Sequence, residues 1–352
     1  MKLFEPYSLG NLRLQNRIVM APMTRSRAID NLPNDLMAEY YGQRSSAGLI
    51  VTDGTAPSPN ALGYSRIPGG FAAAQAEGWK KVTAAAHRGG AKIFMQQMHT
   101  GRISHPLNMP PGAEVVAPSA IKAAGQMWTD QAGMQDMPVP RALQTREIAG
   151  VIAEHVNTAK NAVAAGFDGT ELHGANGYLI EQFLLPCSNQ RTDAYGGSIE
   201  NRNRFAVELA AAVAEAVGPE KVGVRLSPYN TYNDMAVFDE IPEQYEQLAK
   251  SLGALKLAYL HIVAYGRVGE PLLRAIKQAF GGAIIINGGL DVAKAEAAFA
   301  AGYADLASFG ASFLANPDLP HRLKNGLALN APKPDFFFAG GEQGYTDYPA
   351  AG

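Results

Sequence analysis

Eight short apolar runs, each followed by a segment of helical period, predict an α/β fold, a (β/α)8 TIM barrel. Three observations carry this. The strand–helix order recurs along the whole chain. Most of the runs lack clean alternation, as strands covered on both faces do. No G-x-G-x-x-G follows the first run, which counts against a doubly wound open sheet. A length of 352 residues suits one such barrel, so residues 1–352 are expected to form a single domain.

The expected strands are RIVMAP (17–22), GLIVTD (48–53), KIFMQQ (92–97), GTELHG (169–174), VGVRLS (222–227), AYLHIVA (258–264), AIIING (283–288) and DLASFG (305–310). The expected helices are 35–47, 75–90, 146–166, 199–218, 242–255, 270–282, 292–302 and 319–326, several of them ending in a glycine suited to the left-handed C′ position. Two segments fall outside the repeat. Residues 1–16 read as a hairpin that closes the barrel bottom. Residues 104–145, after the third strand, are rich in Pro, Gly and Met and read as a lid insertion on the catalytic face. The aromatic, glycine-rich tail FFFAGGEQGYTDYPAAG is expected to fold back onto the body.

Composition narrows the function. Hydrophobic residues make up 47% and charged residues 18%, which fits a folded core and not a disordered chain. The formal charge is −2 with no basic stripe, so no nucleic acid and no anionic membrane is expected as a partner. No apolar stretch approaches a membrane span, and the N-terminus lacks the pattern of a signal peptide. The single cysteine, Cys187, precludes an intramolecular disulfide and a cysteine-rich metal centre. No cluster has convincing metal-ligand spacing; His99 reads as a core histidine. The expected setting is cytoplasmic, as a monomer or small homo-oligomer.

A barrel places its chemistry at the C-terminal ends of its strands. The first strand ends in Pro22, Met23 and Thr24. The second ends in Gly54, where a ligand can approach closely. The third gives Gln96, Met98 and His99; the fourth gives His173 and Asn176, with Tyr178 opening the next helix. Arg225 lies inside the fifth run, where an unpaired charge is costly. Its partner is either a barrel carboxylate, such as Glu171 or Asp53, or an electron-rich ligand. Gly288-Gly289 and Gly310-Ala311, after the seventh and eighth runs, sit where this fold binds phosphate, although a tight turn alone also needs glycines.

These residues and their flanks resemble the Old Yellow Enzyme family of FMN-dependent ene-reductases. The nearest group is the bacterial one of N-ethylmaleimide, morphinone and pentaerythritol tetranitrate reductases. The resemblance runs the length of the chain, through LFEPYSLGNLRLQNRIVMAPMTRSRA, AEYYGQRSSAGLIVTDGT, HTGRISH, ELHGANGYLIEQFLLPCSNQRTDAYGGSIENRNRF, LANPDL and EQGYTDYP. It implies FMN across the barrel mouth and NADPH or NADH as hydride donor. By position, Thr24 meets the flavin O4, Gln96 the pyrimidine edge, and Arg225 the N1/O2 edge where charge gathers on reduction. Pro22, Met23 and Gly54 line the ring. Gly288, Gly289, Gly310 and Ala311 offer backbone N–H groups to the phosphate. The implied reaction is ping-pong hydride transfer from NAD(P)H to the activated C=C bond of an α,β-unsaturated carbonyl or nitro compound. His173 and Asn176 hold the acceptor oxygen, and Tyr178 gives the proton. Tyr64, Met98 and Tyr345 shape the substrate pocket, and Arg141 reaches the nicotinamide cofactor's phosphate.

Two departures from the family pattern stand out. Met98 replaces a tryptophan of close relatives, which is expected to enlarge the pocket. Phe309-Gly310-Ala311 stands where the family has Phe-Gly-Arg, so the arginine that clasps the phosphate is missing. Arg267, after the sixth strand, is expected to substitute in part. The alternatives are a barrel with weakened or lost FMN binding, acting as a small-molecule binder, or a non-redox barrel enzyme for a phosphorylated substrate.

Overall fold

A computed structural model of the chain describes residues 1–351. Its eight central strands are all parallel and close into a barrel. They are β1 (Ile18–Met20), β2 (Leu49–Val51), β3 (Lys92–Gln97), β4 (Gly169–Gly174), β5 (Val222–Leu226), β6 (Tyr259–Val263), β7 (Ala283–Asn287) and β8 (Leu306–Phe309). Closure is made by β8 on β1, with Ala307 opposite Ile18 and Phe309 opposite Met20. Every expected strand is present. β1 is shorter than its apolar run because the chain leaves the ladder before Pro22, which has no N–H to donate.

The expected helices are all present: α1 (Asp35–Gln43), α2 (Ala73–Arg88), α3 (Thr145–Ala164), α4 (Ile199–Val217), α5 (Ile241–Ala254), α6 (Glu270–Phe280), α7 (Val292–Ala301) and α8 (Leu319–Asn325). Asn34, Ser198 and Asp291 cap three of them by accepting from the third N–H beyond the cap. Two short helices, Leu179–Leu184 and Ala311–Ala315, were not expected. Both follow directly on a strand end, where too few residues repeat to show a helical period.

The N-terminal hairpin pairs Tyr7–Leu9 with Leu12–Leu14. Leu9 and Leu14 pack against Val19, Leu49, Val51, Phe94, Tyr259, Ile285 and Leu306, so the hairpin closes the floor of the barrel with an apolar layer. The insertion after β3 forms a second hairpin, Gln126–Thr129 with Gly133–Asp136. Its Ala123, Met127 and Met137 bury against Met98 and Tyr178. The tail folds back as expected. Tyr345 stacks on Tyr40 with ring centroids 3.9 Å apart, and Arg25 and Arg44 donate to the carbonyls of Gly344 (2.6 Å) and Tyr345 (3.2 Å).

Candidate active site

Side chains alternate in and out along a strand, so the inward positions lie two residues apart. The floor residues Phe94, Tyr259, Ile285 and Leu306 are therefore followed, one step up the same strands, by Gln96, His261, Asn287 and Ser308. With Glu171 and Arg225 these form one buried network. Gln96 Nε2 donates to Glu171 Oε1 at 2.8 Å, and His261 Nδ1 lies 2.9 Å from Glu171 Oε2. Arg225 donates to His261 Nε2 at 2.9 Å and to Asn287 Oδ1 at 3.1 Å. The Ser308 hydroxyl sits 2.7 Å from His261 Nε2. Burial, with the nearby Arg225 charge, holds His261 down to about 4, so it is neutral at pH 7. It then donates from Nδ1 to Glu171 and accepts at Nε2. Burial raises Glu171, but His261, Arg225 and Gln96 outweigh it and keep the carboxylate ionised.

The arginine's protein partner is thus Glu171, reached through His261. Asp53, the other expected carboxylate, is taken by the Tyr41 hydroxyl at 2.8 Å. Arg225 Nε and His173 Nδ1 are buried with no hydrogen-bond partner among the described residues.

The end of β4 carries His173, Asn176 and Tyr178. The chain turns sharply there: Asn176 and Gly177 both take left-handed φ values, 59° and 82°. Asn tolerates that region, and a Cβ at Gly177 would lie 2.6 Å from Asn233 Cβ. The turn throws the Tyr178 ring back against His173, with centroids 4.9 Å apart. The Tyr178 hydroxyl meets that of Tyr64 at 3.0 Å. Burial pushes the Tyr178 phenol above its ordinary range, and burial with the Arg225 charge holds His173 down to about 3. At neutral pH the tyrosine is therefore protonated and the histidine is uncharged.

These residues line a cavity of about 320 Å³ with Pro22, Met23, Thr24, Gln96, Met98, Ala311 and the tail residues Phe337 and Phe338. A second cavity, of about 870 Å³, shares Asn176 and Tyr232 with the first and holds Arg225, Asn287 and Arg267. Together they make a cleft across the C-terminal mouth. Gly288 (φ 147°) and Gly289 (φ 59°) turn the chain at the end of β7, and Gly310 precedes the short helix at the end of β8.

One expected position needs correction. Tyr345 does not reach the cavity; it is buried beneath the tail, stacked on Tyr40. Arg141 is paired with Glu114 and Glu147 at 2.9 Å each. Gly54 packs against a cavity residue: a Cβ there would lie 2.5 Å from the Met98 thioether, so its bareness admits Met98. The sequence reading passed over His261, Ser308, Tyr232, Phe337 and Phe338. His261 had the same signal as Arg225, a polar side chain inside a run expected to be buried. The two phenylalanines sit in the tail, and only the folded chain brings them to the mouth.

The cleft fits a flavin. It offers a buried guanidinium with one N–H unused, hydrogen-bonding groups at Thr24 and Gln96 for a ring with mixed polar edges, and apolar walls at Pro22 and Met23. Its class is therefore that of the barrel flavoprotein oxidoreductases. The chain belongs to the NADH:flavin oxidoreductase / NADH oxidase family, whose model matches residues 2–330. It is 41% identical over 356 residues to a probable flavin mononucleotide-dependent alkene reductase of Leishmania infantum, covering 99% of this chain and 97% of the relative. It is likewise 41% identical over 362 residues to 12-oxophytodienoate reductase 1 of Oryza sativa subsp. japonica, covering 99% and 92%. Among solved structures, morphinone reductase in complex with tetrahydroNAD superposes with a TM-score of 0.96 at 45% identity, covering 100% of this chain and 98% of that one. These matches favour an FMN-dependent oxidoreductase over a binder that has lost the flavin. No helix among the described residues is long and apolar enough to cross a membrane.

Proposed function

We propose that the protein is an FMN-dependent NAD(P)H ene-reductase acting on small α,β-unsaturated carbonyl or nitro compounds. The observation that supports this reading is that His173, Asn176 and Tyr178 line one cavity together with Gln96 and Thr24. Bound FMN would supply the hydride carrier between the nicotinamide donor and the acceptor's β-carbon. Thr24 and Gln96 would hold its polar edges, and Arg225 the edge where negative charge accumulates. Gly288, Gly289, Gly310 and Ala311 would lie along its phosphate, with Arg267 substituting in part for the arginine missing at position 311.

His173 and Asn176 would donate to the acceptor oxygen, which becomes enolate-like as hydride arrives. A neutral His173 suits this, since it donates without itself giving up a full charge. Tyr178 would then protonate the α-carbon. Its raised pKa keeps the proton on the phenol until the carbon becomes basic. Tyr64, hydrogen-bonded to Tyr178, would hold that hydroxyl in place, and Met98 would set the width of the pocket. Residues 1–352 would act as one domain with the insertion at 104–145 as a lid, in the cytoplasm, as a monomer or small homo-oligomer.

The test is the freshly purified protein. It should be yellow, carry FMN near one equivalent, bleach with NADPH under anaerobic conditions and recover colour on adding cyclohexenone. A colourless protein that takes up no added FMN would overturn the reading.

A further inference from the structure

The turn at the end of β4 is held from behind by a residue the proposed chemistry does not use. Glu181, on the short helix Leu179–Leu184, is fully buried. Its carboxylate accepts from Gly177 N (2.5 Å), Ser227 Oγ (2.6 Å), Asn230 Nδ2 (3.0 Å) and the Tyr245 hydroxyl (3.2 Å). Ser227 Oγ in turn accepts from Asn176 N at 2.8 Å. The N–H groups of both left-handed residues therefore end on one carboxylate, Gly177 directly and Asn176 through a hydroxyl.

No lysine, arginine or histidine is hydrogen-bonded or ion-paired to Glu181 among the described residues. Facing it are Ser227 and Asn230 from the end of β5, Tyr245 from α5, and the turn itself. Tyr245 is the one titratable group in that set, and burial and the Glu181 charge keep it protonated. A buried carboxylate with no counter-ion is costly. Its hydrogen bonds are directed at the two peptide groups that place Asn176 and Tyr178.

We infer that Glu181 is a positioning residue of the acceptor site. When ionised, it locks the Asn176–Gly177 turn and so sets the Asn176 amide and the Tyr178 hydroxyl over the acceptor. When protonated, one of its oxygens becomes a donor. The proton falls on Oε1, where the Ser227 and Tyr245 hydroxyls can turn to accept it; Oε2 still meets the Gly177 N–H but without the charge that roughly doubles the strength of such a bond, and the turn loosens. Burial pushes the Glu181 carboxyl up to about 7, opposed by its hydrogen bonds from Ser227, Gly177, Asn230 and Tyr245, so the two states exchange near neutral pH. The inference rests on the ene-reductase reading.

The test compares FMN-loaded wild type with Glu181→Gln. Flavin reduced with one equivalent of NADPH is reoxidised anaerobically by cyclohexenone, over roughly one and a half pH units on either side of neutrality. In the wild type the reoxidation rate should rise with pH through a midpoint near 7. In Glu181→Gln that limb should vanish, leaving a flat rate about tenfold below the wild-type plateau. Ser227→Ala removes a donor to the carboxylate and should move the midpoint upward. Thermal melts and FMN content show that each variant is folded and loaded, and they cannot mimic a displaced midpoint. Superimposable pH profiles in wild type and Glu181→Gln would overturn the inference alone. A wild-type flavin that no pH allows cyclohexenone to reoxidise would overturn the ene-reductase reading, and this inference with it.

Discussion

The floor and the mouth of the barrel are made by the same strands, two residues apart, and they solve opposite problems. At the floor, Val19, Val51, Phe94, Ile285 and Leu306 meet Leu9 and Leu14 of the hairpin and leave no charge to satisfy. At the mouth, Gln96, Glu171, Arg225, His261, Asn287 and Ser308 are equally buried but joined edge to edge by hydrogen bonds. The floor is held by area removed from water, so a lost methylene there costs stability and nothing else. The mouth is held by complementarity, so a lost partner leaves a buried charge unpaired. Stability and chemistry are thereby separated along the strand axis.

Substitutions at the two levels should keep that separation visible. Phe94→Ala at the floor should cost about 3–5 kcal/mol of unfolding free energy in urea. Its FMN spectrum should be unchanged in whatever fraction remains folded. Arg225→Met at the mouth removes the cation between His261 and Asn287 and should cost about 3 kcal/mol or more by uncovering Glu171. Unlike the floor variant, it should also lose FMN, read as the flavin-to-protein absorbance ratio. Equal flavin loss in both variants would erase the distinction. Ala311→Arg works in the other direction. A guanidinium on the cavity wall beside the β8 turn should tighten FMN by about one to two decades, since a charge-assisted bond contributes roughly 1.5–3 kcal/mol. Fluorescence titration of the apoprotein measures it.

The pH dependence of stability belongs to the mouth as well. Burial holds His99 and His173 down to about 3 and His261 to about 4. Their folded values lie below the ordinary value of 6.5, so the unfolded chain binds the extra protons. The stability they contribute is complete above that ordinary value and is lost as pH falls toward their folded values. Glu181, raised to about 7, has the opposite sign: its contribution is complete below its ordinary value of 4.5 and is lost as pH rises through 7. The three histidines outweigh the one carboxyl where their windows overlap, so urea midpoints should climb with pH from about 4 to 6 and level off by about 7. Glu181→Gln removes that opposing contribution and should steepen the climb between about 4.5 and 7.

How much of this was written in the sequence depended on the range of the interaction. The strands and helices were legible because each is a run of neighbours with its own period. His173, Asn176 and Tyr178 were legible because a single turn gathers them. Arg225 announced itself as a charge in an apolar run. Its partner was open between Glu171, Asp53 and a ligand, because only the register of β4, β5 and β6 decides which inward side chains meet. That register puts His261 between Arg225 and Glu171 and leaves Asp53 to Tyr41. The tail misled for the same reason. Tyr345 carries the residue type a pocket wants, but the fold spends it on stacking against Tyr40, and Phe337 and Phe338 take the cavity wall. Long-range packing of this kind leaves no periodic trace.

The most direct test of the account is the pair of half-reactions in Tyr178→Phe. The substitution keeps the ring against His173 and removes only the hydroxyl. Reduction of the bound FMN by NADPH should proceed at the wild-type rate, while reoxidation by cyclohexenone should slow by about a hundredfold or more. Collapse of flavin reduction with FMN still bound, or reoxidation at the wild-type rate, would contradict the role given to Tyr178 and the reading of the mouth built around it.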